Sequence, residues 1–289
     1  NVQGDRTVGI WEAAPQAFLD KIEDKYGFKP TTKHGYSVIE AIEAMYKKEA
    51  KIFFGLGGNF VSAAPDTNYT AEALSNCDLT VHVSTKLNRS HLVTGKEALI
   101  LPCLGRAEKD YQKTGEQIQS VENSMGIVSS TKGILEPCSK ELKSEVSVVC
   151  NIAYKTLKNR TKIDWLNYAD DYNLVRDDIA EVVNGFDDYN SKLKQPAGFY
   201  LPNGARERDF KTTTGKANFS LNKLPNWKLK NNELIMMTIR SHDQFNTTIY
   251  GLDDRYRGVF NERRVIFMNR EDMKAQNLQE HQTVNLQSV

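Results

Sequence analysis

Apolar positions along this chain recur first at helical spacing and then in short unbroken runs. Residues 15–30 place Phe18, Leu19, Ile22 and Tyr26 on one face, with Pro15 suited to a first turn and Gly27 to a stop. Residues 36–48 predict a second amphipathic helix with Val38, Ile39, Ile42 and Tyr46 inward. Three apolar runs then read as buried strands: 50–54, 79–83, and 98–101, the last closed by Pro102. A helix over 70–75 separates the first two. This order predicts an α/β fold built on a parallel sheet.

Further along, 117–121 alternates like a strand, and 139–157 and 163–185 read as helices. The run at 211–219 predicts a strand–turn–strand hinge around Gly215. A polar link over 224–232 precedes a β-rich region: strands at 233–239, 264–268 and 282–289, with Asn269 capping a short helix over 270–276. A boundary near residue 228 gives two domains, 1–228 and 229–289.

Composition narrows the classes. The chain has 289 residues, with 38 Lys plus Arg against 37 Asp plus Glu, so it is neither a general nucleic-acid binder nor a polybasic membrane protein. No apolar stretch is long enough to span a bilayer as a helix, and no signal peptide opens the chain, which leads to the expectation of a cytoplasmic protein. Cys77, Cys103, Cys138 and Cys150 form no CxxC pair, so they read as scattered reduced thiols rather than a metal knot. The chain opens at Asn1 without methionine, and its last residues alternate like a strand with no closing element. These ends suggest a piece of a longer polypeptide.

Against this neutral background three segments concentrate chemistry. GLGGNF at 55–60 follows a strand, so Gly55, Gly57, Gly58 and Asn59 either form an ordinary tight turn or bring backbone N–H groups to a phosphate. It is not a dinucleotide fingerprint and has no acid placed for a ribose, which disfavours a nicotinamide enzyme. VHVSTKLNRSHLVTGK at 81–96 carries Ser84, Thr85, Lys86, Arg89, Ser90, His91 and Lys96 without one carboxylate. It is either a solvated loop or an anion site, with His82 structural and His91 a contact. TIRSHDQFNTTIYG at 238–251 presents Arg240, Ser241, His242, Gln244, Phe245, Asn246 and Thr247, too polar for core, hence a surface loop or a grip on a polar ligand. His242 beside Asp243 lacks a nucleophile elbow. Asp253, Asp254, Arg255 and Arg257 read as ion pairs locking that loop. NVQGDRT at 1–7 reads only as loop.

Taken together, NVQGDRT, GLGGNF, STKLNRSHLVTG, LILPCLGR, TTTGKANF and TIRSHDQFNTTIYGLDDRYRG, in this order, resemble the molybdopterin oxidoreductase superfamily. The resemblance is to its bis-molybdopterin-guanine-dinucleotide group, and within it to formate-dehydrogenase-like alpha subunits of the acid-resistance branch. It implies the carboxy-terminal part of such an enzyme, with a partial α/β domain followed by part of a double-psi β-barrel. It implies a molybdopterin guanine dinucleotide with molybdenum or tungsten, and formate as substrate. The metal ligand, the catalytic residues and any 4Fe-4S cluster would then lie outside this chain, in the rest of its polypeptide, and an electron-transfer partner would complete the enzyme. Gly55, Gly57, Gly58, Asn59, Ser84, Thr85, Lys86, Arg89, Ser90 and His91 would hold one guanine dinucleotide. Arg240, Ser241, His242, Gln244, Phe245, Asn246 and Thr247 would line the pterins. Family members often place an acid near Ser84 or Thr85 to read guanine, and none stands there. The alternative is a non-catalytic binding or scaffold protein that keeps the fold.

Overall fold

The computed structural model describes residues 2–287 apart from 231, 243, 246–248, 251 and 263, with Val2, Gln244, Phe245, Ile249 and Tyr250 described in backbone only. The chain divides into two compact units, Asn1–Ala217 and Asn218–Val289. The division lies ahead of the 224–232 link chosen from sequence.

The first unit opens with helices α1 (Val2–Thr7), α2 (Gln16–Tyr26) and α3 (Val38–Tyr46). Gly27 ends α2 at φ +72°, a left-handed conformation that glycine adopts without steric cost. Ser37 starts α3 with a reciprocal capping box to Glu40. In α3 the buried residues are Ile42, Ala44 and Met45, and Val38 and Ile39 are exposed, contrary to the expected inward face. The helix is docked through its second half, where Ile42 and Met45 meet Val61, Ala73, Leu74 and Cys77. Of segment 1–7, read as loop, residues 2–7 are helical. Gln3 ties it down by donating to Glu122 Oε1 at 2.6 Å and to the Asn123 carbonyl at 3.0 Å, long-range contacts no local pattern reveals.

Strand β1 (Ile52–Leu56), helices α4 (Phe60–Ala63) and α5 (Thr67–Ser75), strand β2 (Leu79–Ser84) and strand β3 (Glu97–Pro102) follow. They form the parallel sheet expected from the apolar runs, in the order β1-β2-β3. Register pairs Phe54 with Val81 and Val81 with Leu99, so like faces align across the sheet. One face is covered by α3 to α5, with Phe53 packed into their cluster. On the other face helix α6 (Glu145–Leu157) covers the carboxyl end, where Val83, Leu101 and Cys103 meet Val148 and Ile152.

Short antiparallel ladders come next: β4 (Tyr111–Gln112) with β5 (Gly115–Glu116), and β6 (Gln119–Glu122) with β7 (Ile127–Thr131). Helix α6 (Glu145–Leu157) begins at the Ser144 cap. The stretch read as one helix over 163–185 is two, α7 (Trp165–Asp170) and α8 (Tyr172–Val182). They part at Asp171, which is extended and accepts the Asn173 N–H to cap α8. Helix α9 (Tyr189–Lys192), strand β8 (Phe199–Tyr200), paired to β7, and helix α10 (Gly204–Glu207) complete the unit. Its largest cluster gathers Val128, Val182, Val183, Phe186, Tyr189, Leu193, Phe199 and Leu201.

A buried polar network pins 110–117 to α6 and α8. Tyr172 donates to Asp110 Oδ2 at 2.7 Å and meets the Ser144 hydroxyl, while Gln112 donates to Asp110 Oδ1 at 2.6 Å. All but Gln112 are buried. Burial, with the Asp110 carboxylate second, drives the Tyr172 phenol pKa far upward, so the hydroxyl stays a donor. Tyr172→Phe is expected to cost about 1–3 kcal/mol by leaving Asp110 short of a donor. A denaturant midpoint unchanged from wild type would refute this.

The expected strands at 211–219, across the unit boundary, and at 233–239, 264–268 and 282–289 in the second unit carry no ladder among the described residues. A strand exists only with a hydrogen-bonded neighbour, whatever its apolar pattern. At 211–215 a turn closes instead, with the Gly215 N–H donating to the Thr212 carbonyl. The ladder present joins β9 (Gln244–Phe245) to β10 (Ile249–Tyr250), antiparallel. Asn269 caps α11 (Arg270–Ala275) by accepting the Glu271 N–H at 2.8 Å, as expected. No helix among the described residues is long and apolar enough to cross a membrane.

Candidate functional site

The carboxyl ends of the parallel strands bring together two of the three polar segments. At the β1 end, Gly57 continues the ladder by donating to the Val83 carbonyl at 2.8 Å. Gly58 stands at φ +78° with open space where a side chain would be. Its carbonyl accepts from Asn88 Nδ2 at 2.9 Å. Ser90 Oγ accepts the Val61 N–H at 3.0 Å and donates to Asn59 Oδ1 at 3.5 Å. The two loops are thus one structure.

Within it the predicted residues divide by orientation. Thr85, Lys86 and Arg89 are exposed, and among the described residues neither cation makes an ion pair. Ser84, Ser90 and His91 shape the loop. Ser84 Oγ donates to the Lys86 carbonyl at 2.9 Å, and Ser90 and His91 are buried. Asn88 and His91 form a capping box over the turn Arg89–Leu92: Asn88 accepts the Ser90 N–H, and His91 Nδ1 accepts the Asn88 N–H at 3.0 Å. Gly55 is a packing position, since a side chain there would come within 2.9 Å of the Phe53 ring.

The His82 and His91 rings pack against each other with centroids 4.9 Å apart and planes tilted by 43°, and the Nε2 atom of each is buried without a protein partner. Burial first, and the neighbouring His91 ring second, lower the His82 pKa from 6.5. The native state therefore resists a proton that the unfolded chain accepts. Stability is full above pH 6.5 and declines as pH falls below it, levelling off under the lowered native value. His82→Phe is expected to flatten the loss of stability between about pH 7 and 5. An unchanged profile would assign the acid sensitivity elsewhere.

Sequence reading missed three contributors. Asn88, which joins the loops, carries the familiar cap signal of Asn before a short turn. Arg106 follows the β3 end: position 105 abuts Thr85, with 3.9 Å from a built Cβ to its methyl, and Arg106 is exposed with no ion pair among the described residues. Glu145, in the first turn of α6, brings its carboxylate within 3.7 Å of a built Cβ at Gly57, and desolvation raises its pKa. Glu108 also faces this end, but it is occupied by the Gly105 N–H at 2.6 Å. An acid therefore stands beside the glycine turn although none stands near Ser84 in sequence.

The third segment lies in the second unit. Asn246 and Thr247 fall outside the described residues, as does Asp243, and Gln244 and Phe245 are described only as the β9 backbone. His242 is held by the downstream charges. Arg257 Nη1 donates to His242 Nδ1 at 2.6 Å and to Asp254 Oδ2 at 2.7 Å, and Tyr256 lies over the imidazole at 4.6 Å. The expected locking ion pair is therefore Arg257 with buried Asp254. Desolvation opposes ionisation of Asp254, but the bonds from Arg257 and the His242 backbone outweigh it and hold the carboxyl below its ordinary range. Arg240 and Ser241 border a cavity of about 80 Å³ together with Asp254 and Arg257.

The described residues hold no cluster of three or more His, Cys, Asp or Glu that could bind a metal. All four cysteines are free, and burial pushes the Cys103 and Cys150 thiols up to about 11, which makes them poor nucleophiles.

No protein-family model matches the chain. It is similar along its whole length to longer proteins. One of Mycobacterium tuberculosis, named "Uncharacterized oxidoreductase", is 49% identical over 289 residues, covering 100% of this chain and 37% of that protein. A protein of the same name from Mycobacterium bovis matches equally. Protein YdeP of Escherichia coli is 45% identical over 290 residues, covering 99% of this chain and 38% of its own length. The chain thus spans less than two fifths of the curated relatives it matches.

Proposed function

We propose that this chain is the carboxy-terminal, cofactor-gripping part of an oxidoreductase of the molybdopterin type, and that its first unit holds the guanine dinucleotide at the carboxyl ends of β1 to β3. The observation that carries this reading is the joined pair of loops. Gly58 leaves an open backbone approach, Thr85, Lys86 and Arg89 stand beside it without carboxylate partners, and Arg106 adds a third cation. Pyrophosphate needs such N–H donors and cations. The crevice outside the strand ends is where open α/β sheets bind ligands. The oxidoreductase names of the mycobacterial relatives support the reaction class.

In this reading Lys86, Arg89 and Arg106 bind the phosphates, and Asn88 with the buried Ser90 and His91 holds their loop in place. Glu145 supplies the acceptor that a guanine edge requires. In the second unit Arg240 and Ser241 contribute donors toward the pterin, in a loop made rigid by Arg257, Asp254 and His242. When bound, the metal–dithiolene group supplies the two-electron chemistry, and the protein orients it. The resemblance to formate-dehydrogenase-like subunits makes formate the proposed substrate, which would leave as carbon dioxide after loss of two electrons and one proton, with the residues that choose substrate lying outside this chain.

The test is mass spectrometry with metal analysis on the full-length protein purified in its native state. Guanine nucleotide and roughly one molybdenum or tungsten per chain are expected. Full activity in protein free of both would overturn the reading. Stoichiometric cofactor with no turnover of any donor would favour the scaffold alternative.

A further inference from the structure

All-parallel sheets are stable when both faces are covered, and their strands then read as continuous apolar runs. The sheet here has such strands but lacks such cover. Ile52, Phe54 and Leu56 of β1 share a face with Leu79, Val81 and Val83 of β2 and with Leu99 and Leu101 of β3. Helix α6 covers the carboxyl end of this face, at Val83 and Leu101. On the central strand Val81 is 5% exposed and Leu79 half-buried, but the two flanking strands are open: Ile52 is 63% exposed, Phe54 43%, Leu56 50% and Leu99 50%. On the opposite face of β3, Ile100 is also 43% exposed, so the middle of this strand is exposed on both sides. The charges and prolines that protect natural edge strands are confined to its two ends, Glu97 and Pro102. A contiguous apolar surface of this kind marks an interface.

We propose that the open face of β1 to β3, together with β3 itself, is covered in cis by the remainder of a longer polypeptide. The occupant follows from the relatives. In them the stretch matching this chain is 37–38% of the protein, so the larger part of the polypeptide lies outside it. Apart from Glu97 at its amino end, the surface is aliphatic and aromatic, as a core cut open would be, rather than the mixed composition of a transient contact. Apolar strands or helices of the same chain fit it.

Thiol labelling of the full-length protein reads this without any cofactor. In a Cys138→Ala background, Phe54→Cys and Leu99→Cys are expected to react at least about a hundredfold more slowly than Cys138 does in the parent, since labelling must await local opening. Hydrogen exchange on the wild-type full-length protein needs no substitution, and slow exchange across 52–56 and 97–101 is the matching result. Labelling as fast as at Cys138, or rapid exchange over both strands, would overturn the proposal. So would protection that disappears on dilution as a dimer dissociates, because the cover would then be a second copy.

Discussion

Replacing Phe186 with alanine is expected to destabilise the first unit by about 3–5 kcal/mol, the range for removing a buried aromatic ring from a core. Phe186 is 1% exposed and is among the largest fully buried side chains of the chain. Its ring lies 4.6 Å from that of Tyr189 and 6.1 Å from that of Phe199, the latter edge-on, and these three aromatics join α9 and β8 to the segment after α8. Collapse around the cavity is limited, because Gly198, next to Phe199 in the chain, already runs tightly against Val128 of β7. At φ +69° a built Cβ would sit 2.2 Å from the Val128 carbonyl, so β7 and β8 cannot close further. Denaturant unfolding of the full-length protein provides the check, and a loss below about 1 kcal/mol would show that the cluster is not a cooperative core. Phe186→Leu should recover about half of the loss, which separates cavity formation from misfolding.

The double reversal Lys86→Glu with Arg89→Glu is expected to lower guanine-nucleotide retention by about a hundredfold while leaving the fold intact. Charge-assisted contacts to phosphate are worth roughly 1.5–3 kcal/mol each, and the exposure of both groups places them at the low end. Neither side chain makes an ion pair among the described residues, so the reversal breaks no structural contact there. Screening gives a second signature: wild-type retention should weaken with added salt, and the variant should respond less. Lys21→Glu, an exposed cation on α2, is the control. Nucleotide content equal to wild type in the double variant would remove the phosphate assignment from this loop.

Much of this architecture is legible in the residue order. The runs at 50–54, 79–83 and 98–101 become the parallel strands, because short β-prone apolar stretches bounded by glycine, proline, aspartate or serine have few other stable outcomes. Gly27, Ser37 and Asn269 end or start their helices through contacts within a few residues, which sequence spacing encodes directly. The carboxylate-free run at 84–91 is equally local, and it marks an electropositive loop wherever the fold places it.

What the tertiary structure alone decided depends on contacts between distant residues. Whether Val38 or Met45 of α3 turns inward is set by where α5 lies against it. Helix α1 is tied to the rest of the fold by Gln3, which reaches Glu122 and Asn123. His91 is buried against His82, nine residues away, and Asn88 joins the two loops by its bond to Gly58, 30 residues back along the chain. Arg106 and Glu145 enter the site because three parallel strands end on one edge and α6 begins beside it. Side-chain chemistry can be read one residue at a time, whereas a site is a set of distances, and distances between remote residues exist only once the chain has packed.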